Sequence, residues 1–600
     1  MTGWTVVSCV ACVTALAGAS AWAAGNADPR SVETGLPMPS IGYADQPYVV
    51  VTPKGEWTCV LTTGKGREGQ AGQHVVASTS TDRGRTWSKL VAIESATGPA
   101  ASWACPVVTP FGRVYAFYTY NGDEVHLGRD DTHGWYAFRY SDDAGRTWSP
   151  KRYRLPMRVT ACDKLRRRGK VVQMFWGICK PIVADGCVYF SFTKLGKYFL
   201  QDGEGWVFRS DNVLTERDPA KLRWEMLPEG QAGIRNARFG SVQEEHNLAA
   251  LSAPGHLACV YRTTKGFPAI SYSGDGARSW SKPEPMRYRP GGPVIRHPRA
   301  CPKIWRCRNG KFLFWCHQHG GKGFAGRNPV WLCGGVEVDG AIHWSQPEVL
   351  LYHDDPKKRM SYPDLIEADG RYWVTETEKE EARIHEIDPT LLAGLWGQFE
   401  NKAVAERGLV LSLDEKAIAR AGEAGVAMPK LPAPADRGGF SVEMWLRLAG
   451  LDAGQVILDS RAGGEESGLA VTTTRDRTLA IAFGDGKRSG AWDVDKGLLK
   501  PGTWHHVVFI VDGGPGIVSC IVDGRFCDGG THVRPFGWGR FDRRIGRVGG
   551  GTLKLLSATK AHLGGLRIYG RYLRTSEAVG NWRAGRQVRP AAGGGPTGGS

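Results

Sequence analysis

The sequence predicts an all-β chain: a six-bladed β-propeller followed by a β-sandwich of jelly-roll type. Three observations carry that expectation. Glycine and tryptophan are abundant, 80 and 22 of 600 residues, and short apolar runs alternate with turn residues, a texture of strands and not of helical bundles. A hairpin unit recurs six times before residue 395, and a loop motif recurs three times. Beyond residue 408 the repeat stops and a new set of alternating strands begins.

Each hairpin unit places polar residues ahead of a short β run, a Gly turn and a second β run. The anchors are Asp45-Gln46-Pro47, Ala104-Cys105-Pro106, Cys179-Lys180-Pro181, Glu245-His246-Asn247, Ala300-Cys301-Pro302 and Ser361-Tyr362-Pro363. They are 59, 75, 66, 55 and 61 residues apart, which leaves room for four antiparallel strands per unit. One such unit cannot bury both faces; a closed ring of six does, and it also hides the strand edges. The loop motif is S-x-D-x-G-x-x-W at Ser80–Trp87 and Ser141–Trp148, with Ala277 in place of Gly in the third copy, Ser273–Trp280. Its Asp suits the capping of turn amides, its Gly a positive φ, and its Trp packing beneath the loop. These residues read as blade corners.

The expected boundaries follow. Residues 1–23 read as an export signal, an apolar Val6–Leu16 stretch with Ala21-Trp22-Ala23 as the cleavage site. The propeller occupies 38–395, a short helical linker 396–407, the jelly-roll 408–585, and a Gly- and Pro-rich disordered tail 586–600. The strands of the second domain include 440–448, 503–511, 520–524 and 565–569. Past residue 25 no apolar run reaches 18 residues, so no stable membrane span is expected.

Hydrophobic residues at 42% and charged residues at 23% exclude a wholly disordered chain. The net charge of +17 is spread, with one compact basic run at Lys164–Lys170, which reads as a solvated loop. No zinc-finger or RNA-binding spacing is present, so an anionic glycan is the expected partner and nucleic acid is not. The exported chain would keep 12 cysteines, mostly inside strand-like runs, as small buried hydrophobes. An Asp523-Gly524 turn would set Cys520 opposite Cys527, where a bridge can form but is not required.

The repeated loops resemble the Asp boxes of the sialidase (neuraminidase) superfamily, whose members are six-bladed propellers. The stretch 408–585 is similar to laminin-G/pentraxin-like (concanavalin A-like) jelly-rolls, on FSVEMWLRL, TWHHVVFIVDG and GGLRIYGRYL. The resemblance implies a secreted or periplasmic glycoside hydrolase that releases a terminal acidic sugar, such as sialic acid, from glycans without a cofactor. It implies Tyr362 as nucleophile, Glu245 as its base, Arg262 as one carboxylate-binding Arg, and Arg327 as a further one, with Arg299 competing for that role. A neutral Tyr suits an anomeric carbon that bears a carboxylate, because a carboxylate nucleophile would be repelled. Arg clamps a carboxylate bidentately. Glu244 and Glu245 adjoin on a β run, so only one should face the site, and Glu245 fits the register of the other anchors.

Two departures stand out. The loop that should carry the acid, 64–74, contains no Asp, and Glu68 is its one carboxylate. The first blade opens with Asp45-Gln46-Pro47 where the sialidase pattern has an Arg. Either another Arg or a Lys, Lys180 or Lys194, compensates, or the substrate is a different acidic sugar, or a neutral one whose hydroxyls Asp45 and Gln46 would bind. The alternatives are a non-catalytic glycan-binding propeller, and a hydrolase or lyase for another sugar on the same scaffold. His317 and His319 have H-x-H spacing without a third ligand, which reads as a solvated loop, and no metal is expected.

Overall fold

The computed structural model describes residues 28–197, 200–323, 325–461, 467–530, 534–556 and 560–585. The export-signal and tail expectations therefore lie outside the described residues. The chain is all-β, and its short helices sit at the ends of the sheets.

Residues 36–386 form six antiparallel sheets of four or five strands in chain order, beside one two-stranded hairpin, Arg166–Arg167 with Lys170–Val171. The first runs Tyr43–Val51, Trp57–Gly64, His74–Ser80, Val91–Ala92; the second Ala101–Val108, Val114–Tyr120, Trp135–Ser141, Tyr153–Arg154. In the third, Cys187–Leu195 pairs with two short strands, Met174–Trp176 and Ile182–Ala184, because the innermost strand is broken between them. The fourth is Gln243–Ala250, Leu257–Thr263, Ala269–Ser273, Glu284–Pro285, and the fifth is built on Lys303–Arg306, Phe312–Cys316 and Val330–Val338. The sixth takes Ser361–Ala368, Arg371–Thr377 and Ala382–Glu386, and its outermost strand, Leu36–Met38, comes from the start of the chain. That strand starts two residues ahead of the expected boundary at 38.

Each sheet touches the next. Trp103 N donates to Thr62 Oγ1 at 3.0 Å, His133 bridges Met174, and Ser191 Oγ donates to His246 O at 2.6 Å. Asn247 Nδ2 donates to Pro302 O at 2.8 Å, Arg327 Nη1 to Ser361 Oγ at 2.7 Å, and Val49 N to Asp364 Oδ2 at 2.8 Å, which returns to the first sheet. Across the middle, Lys303 Nζ donates to Tyr48 Oη at 3.0 Å and to Ile178 O at 2.6 Å, joining the fifth, first and third sheets. Between sheets the core is aromatic: Phe117, Tyr136, Phe175, Phe190, Phe192 and Phe208 pack ring on ring.

The three loop motifs close their corners identically. Ser141 Oγ donates to Asp143 Oδ1 and accepts from Gly145 N, both at 2.7 Å, while Asp143 Oδ1 accepts from Thr147 N at 2.8 Å. Ala277 occupies the Gly position at φ 73°. A fourth, degenerate corner, Ser210 with Asn212, stands in the third sheet; its Asn for Asp hid it from pattern reading. All these corners end the third strand of a sheet, opposite the end where the inner strands begin.

The second domain is a sandwich. One sheet centres on Gly439–Leu448, Trp504–Asp512 and Ala561–Tyr569, the other on Val456–Asp459, Ser467–Thr473 and Leu479–Asp485. Alternate residues Phe440, Val442, Met444 and Leu446 face Leu469, Val471 and Ile481 in its core. Leu409–Asp414 forms an edge strand, but the helix near the junction is Pro389–Gly397, ahead of the linker where it was expected, because Asp388 caps it and Pro389 starts it. Cys520 and Cys527 do face each other, Cys527 N donating to Cys520 O at 2.9 Å, and both are free thiols in the core. His505 and His506 serve the fold, on Asp523 at 2.7 Å and Glu443 at 3.0 Å.

The sandwich packs on the fifth and sixth sheets. Arg30 bonds Asp512 at 2.6 Å, Arg437 bonds Asp354 at 2.6 Å, and Glu348 accepts from Thr575 N and Ser576 N at 3.0 and 2.7 Å. Trp538 packs against Trp331 and donates to Gln318 O at 2.9 Å. A cavity of about 340 Å³ remains at this junction, lined by Trp331, Val349, Leu351, Ile510 and Ile517; none of the residues expected at the site lines it.

Candidate active site

Four inner strands are broken by a bulge at their first turn. The register shifts between Asp45 and Tyr48, Ser102 and Cys105, Glu244 and Asn247, and Ser361 and Asp364. Each bulge holds one residue at positive φ: Gln46 at 51°, Trp103 at 63°, Glu245 at 59° and Tyr362 at 47°. Bulky side chains rarely accept this backbone, and each instance costs about 1–3 kcal/mol. A bulge re-aims side chains, and here it turns those of the fourth and sixth sheets toward one another.

Tyr362 Oη donates to Glu245 Oε1 at 2.7 Å. Arg262 Nη1 donates to the same oxygen at 2.5 Å, and its Nη2 and Nε hold Glu244 Oε2 at 2.6 and 3.1 Å. All four residues are buried. The expectation that only one of the adjacent glutamates would face the site is corrected: the bulge at Glu245 breaks the alternation, and both carboxylates meet one guanidinium. Burial, then Glu245, hold the Tyr362 phenol well above its usual range. Despite burial, Glu245 and Glu244 hold Arg262 firmly protonated. Burial raises the Glu244 carboxyl, with Arg262 opposing.

Arg327 and Arg299 stand beside this group. Arg327 donates to Ser361 Oγ at 2.7 Å and to Arg299 O at 3.3 Å. The Nε atoms of both, Glu245 Oε2 and Glu244 Oε1 are buried with no hydrogen-bond partner among the described residues. Burial and the nearby Arg262 push the Arg299 guanidinium down. Unpartnered donors beside unpartnered acceptors are what an incoming polar ligand would satisfy.

Asp45 is answered by a residue the sequence reading missed. Lys379 Nζ lies 2.7 Å from Asp45 Oδ2, 3.4 Å from Glu68 Oε2 and 4.1 Å from the centre of the Tyr362 ring. Lys379 sits in the run TETEKEEAR, which looks like a solvated edge; its one signal was a lone cation just after the sixth hairpin. The two lysines named as compensators are spent elsewhere, Lys180 on Asp364 at 2.8 Å and Lys194 on Asp163 at 2.6 Å. Gln46 is corrected as a ligand contact: its Nε2 donates to Gly177 O at 3.0 Å, a buried cross-link from the first sheet to the third.

Glu68 is corrected as the acid. Burial pushes its carboxyl up, but Lys379 and Arg129, 3.0 Å away, hold it down to about 2. Two cations pair with this carboxylate, and that favours its charged form over a proton donor's. Asp45, fully buried and bonded by Tyr43 Oη at 2.5 Å, is raised by burial against the pull of Lys379. The two carboxylates that share Lys379 are therefore driven apart.

Glu376, on the second strand of the sixth sheet, is buried with its carboxyl 3.7 Å from His385 Nε2. His317 and His319 are buried and not solvated, on Pro329 O and Gly326 O, and His317 stacks on His297. Among the described residues no group of three or more His, Cys, Asp or Glu is placed to hold a metal. Trp103, Trp176 and Met174 pack around Tyr362.

Residues 67–374 match the family described as a BNR repeat-like domain, and residues 420–579 match the concanavalin A-like lectin/glucanases superfamily. No curated protein matches the chain. Among solved structures, a Hadza microbial sialidase is 16% identical over 57% of this chain and 66% of its own, just under two thirds of that relative, with a TM-score of 0.43. A Trypanosoma rangeli sialidase mutant displaying trans-sialidase activity is 13% identical over 92% of this chain and 96% of its own, TM-score 0.43. The intramolecular trans-sialidase of Ruminococcus gnavus is 13% identical over 59% and 96%, TM-score 0.43.

Proposed function

Because this chain belongs to the BNR repeat-like family, we propose that its six sheets are the blades of a six-bladed propeller over residues 38–395 and that it is an exported glycoside hydrolase removing a terminal acidic sugar from glycans. The Tyr362–Glu245 hydrogen bond, with Arg262 on the same carboxylate, carries this reading. Glu245 takes the phenol proton as Tyr362 Oη attacks the anomeric carbon. The buried phenol is a poor nucleophile until that proton leaves, and the transfer runs along a 2.7 Å bond. Arg262 balances Glu244 and keeps Glu245 in place; Arg299 and Arg327 offer their free donors to the sugar carboxylate.

Asp45 is the proposed proton donor to the leaving oxygen. Paired groups whose environments push them apart divide acid from base, and here the deeper carboxyl is the one raised. Lys379 offsets the charge of Glu68, 3.4 Å away, while the protonated Asp45 adds none, so an acidic sugar is still tolerated.

The test is sugar release from a mixed panel of sialylated and uronate-terminated glycans by wild type and Tyr362→Phe. Release that falls by about 10²-fold or more in the variant, with unchanged thermal stability, supports the reading. Equal release by both would remove Tyr362 from the chemistry. No release by wild type from any acidic glycan would favour a non-catalytic binding propeller.

A further inference from the structure

We propose that the basic hairpin at residues 166–171 is a docking surface for an anionic polysaccharide beside the Tyr362 site; the choice of a glycan as partner rests on the function proposed above. Arg166–Arg167 pairs with Lys170–Val171 and, among the described residues, with no other strand. A lone hairpin gains little from pairing, so this one is not explained by the sheets it adjoins.

Its turn is Arg168-Gly169, at φ 48° and 78°. Two positive φ values make this a turn where Asn-Gly is the usual choice. The chain instead puts an arginine at the first position, and the backbone cost places a guanidinium at the exposed tip. Lys164, Arg166, Arg168 and Lys170 are exposed and Arg167 is half-buried.

These cations are largely unneutralised. Arg166 donates to the backbone oxygens of Asp163 and Leu165, and Arg167 to that of Glu124. Among the described residues, Lys164 alone of these cations has an acidic partner, Asp202 at 3.0 Å; Asp163 is committed to Lys194. Four cations in five residues without a carboxylate repel one another, and a polyanion relieves that repulsion.

The hairpin leads straight into the site. Val172 N donates to Leu165 O, and two residues on, Met174 and Trp176 pack with Tyr362. Arg168 is six residues from Met174, at most about 20 Å of chain. Guanidinium forks match sulfate and carboxylate groups. The segment 163–173 contains no aromatic residue on which a base could stack, which favours a glycan over single-stranded nucleic acid.

The experiment uses the full chain and heparin as a sulfated-glycan probe, with affinity measured against NaCl concentration. Wild type should bind with a salt-dependent constant. The variant Arg166→Gln/Arg167→Gln/Arg168→Gln/Lys170→Gln should lose about three units of the log–log salt slope. Arg168→Gly should weaken binding without lowering the melting temperature, since glycine suits the turn, so loss of binding there is not loss of fold. Tyr362→Phe should bind as wild type does, so binding survives even if the proposed chemistry does not. Unchanged binding by the fourfold variant would overturn the proposal. Equal competition by duplex DNA at matched charge would overturn the glycan assignment.

Discussion

At Asp45 the chain puts a carboxylate where the sialidase pattern has an arginine, and Lys379 makes that tolerable. The pair can be separated experimentally. If Asp45 donates the proton, activity needs its neutral form and falls as pH rises through its raised value. Asp45→Asn should remove that alkaline limb and cost about 10²–10⁴ in kcat. Glu68→Gln should keep most of the activity. It removes a neighbouring negative charge, so Asp45 ionises more easily and the alkaline limb moves to lower pH. A limb that stays put in both variants would exclude the Lys379-centred pair from catalysis. Tyr362 and Glu245 stand at repeated anchors and Arg262 ends the fourth hairpin, and it was the resemblance of those stretches to sialidases that singled them out. Lys379 was not, since a lysine among glutamates on a strand end reads as surface until the fold closes over it.

Elements repeat, and so do their stabilising corners. Ser141 Oγ makes two good hydrogen bonds at a buried corner. Ser141→Ala should leave the Gly145 amide without its partner and lower stability by about 1–3 kcal/mol, read from the urea midpoint, with no change in ligand binding because the corner lies opposite the site. The bulges show the limit of pattern reading. Alternation assigns side chains to faces only while the register holds. One extra residue at Glu245 and at Tyr362 reverses the assignment, and nothing in Glu244-Glu245-His246 marks where that residue falls.

Across the whole molecule, the sandwich is joined to the fifth and sixth sheets by ion pairs at Arg30 and Arg437 and by the Trp538 indole. Trp538 donates to Gln318 O, and Arg540 donates to Asn328 O at 2.7 Å, on either side of Arg327. Trp538→Ala should cost about 3–5 kcal/mol and split a single calorimetric transition into two as the domains uncouple. A single unshifted transition would show that the indole does not couple them.

The sequence by itself determined the β character, the six hairpin units and the corner loops. Those features are local: turn chemistry, alternation and spacing lie within a few residues of one another. Only the tertiary structure decided that Lys379 answers Asp45, that Glu68 pairs with Lys379 and Arg129, that Gln46 is a cross-link, and that both glutamates meet Arg262. Each of these depends on groups brought together from segments up to 334 residues apart in the chain. Burial and neighbouring charge set a carboxyl's protonation, and neither is written in the residues beside it.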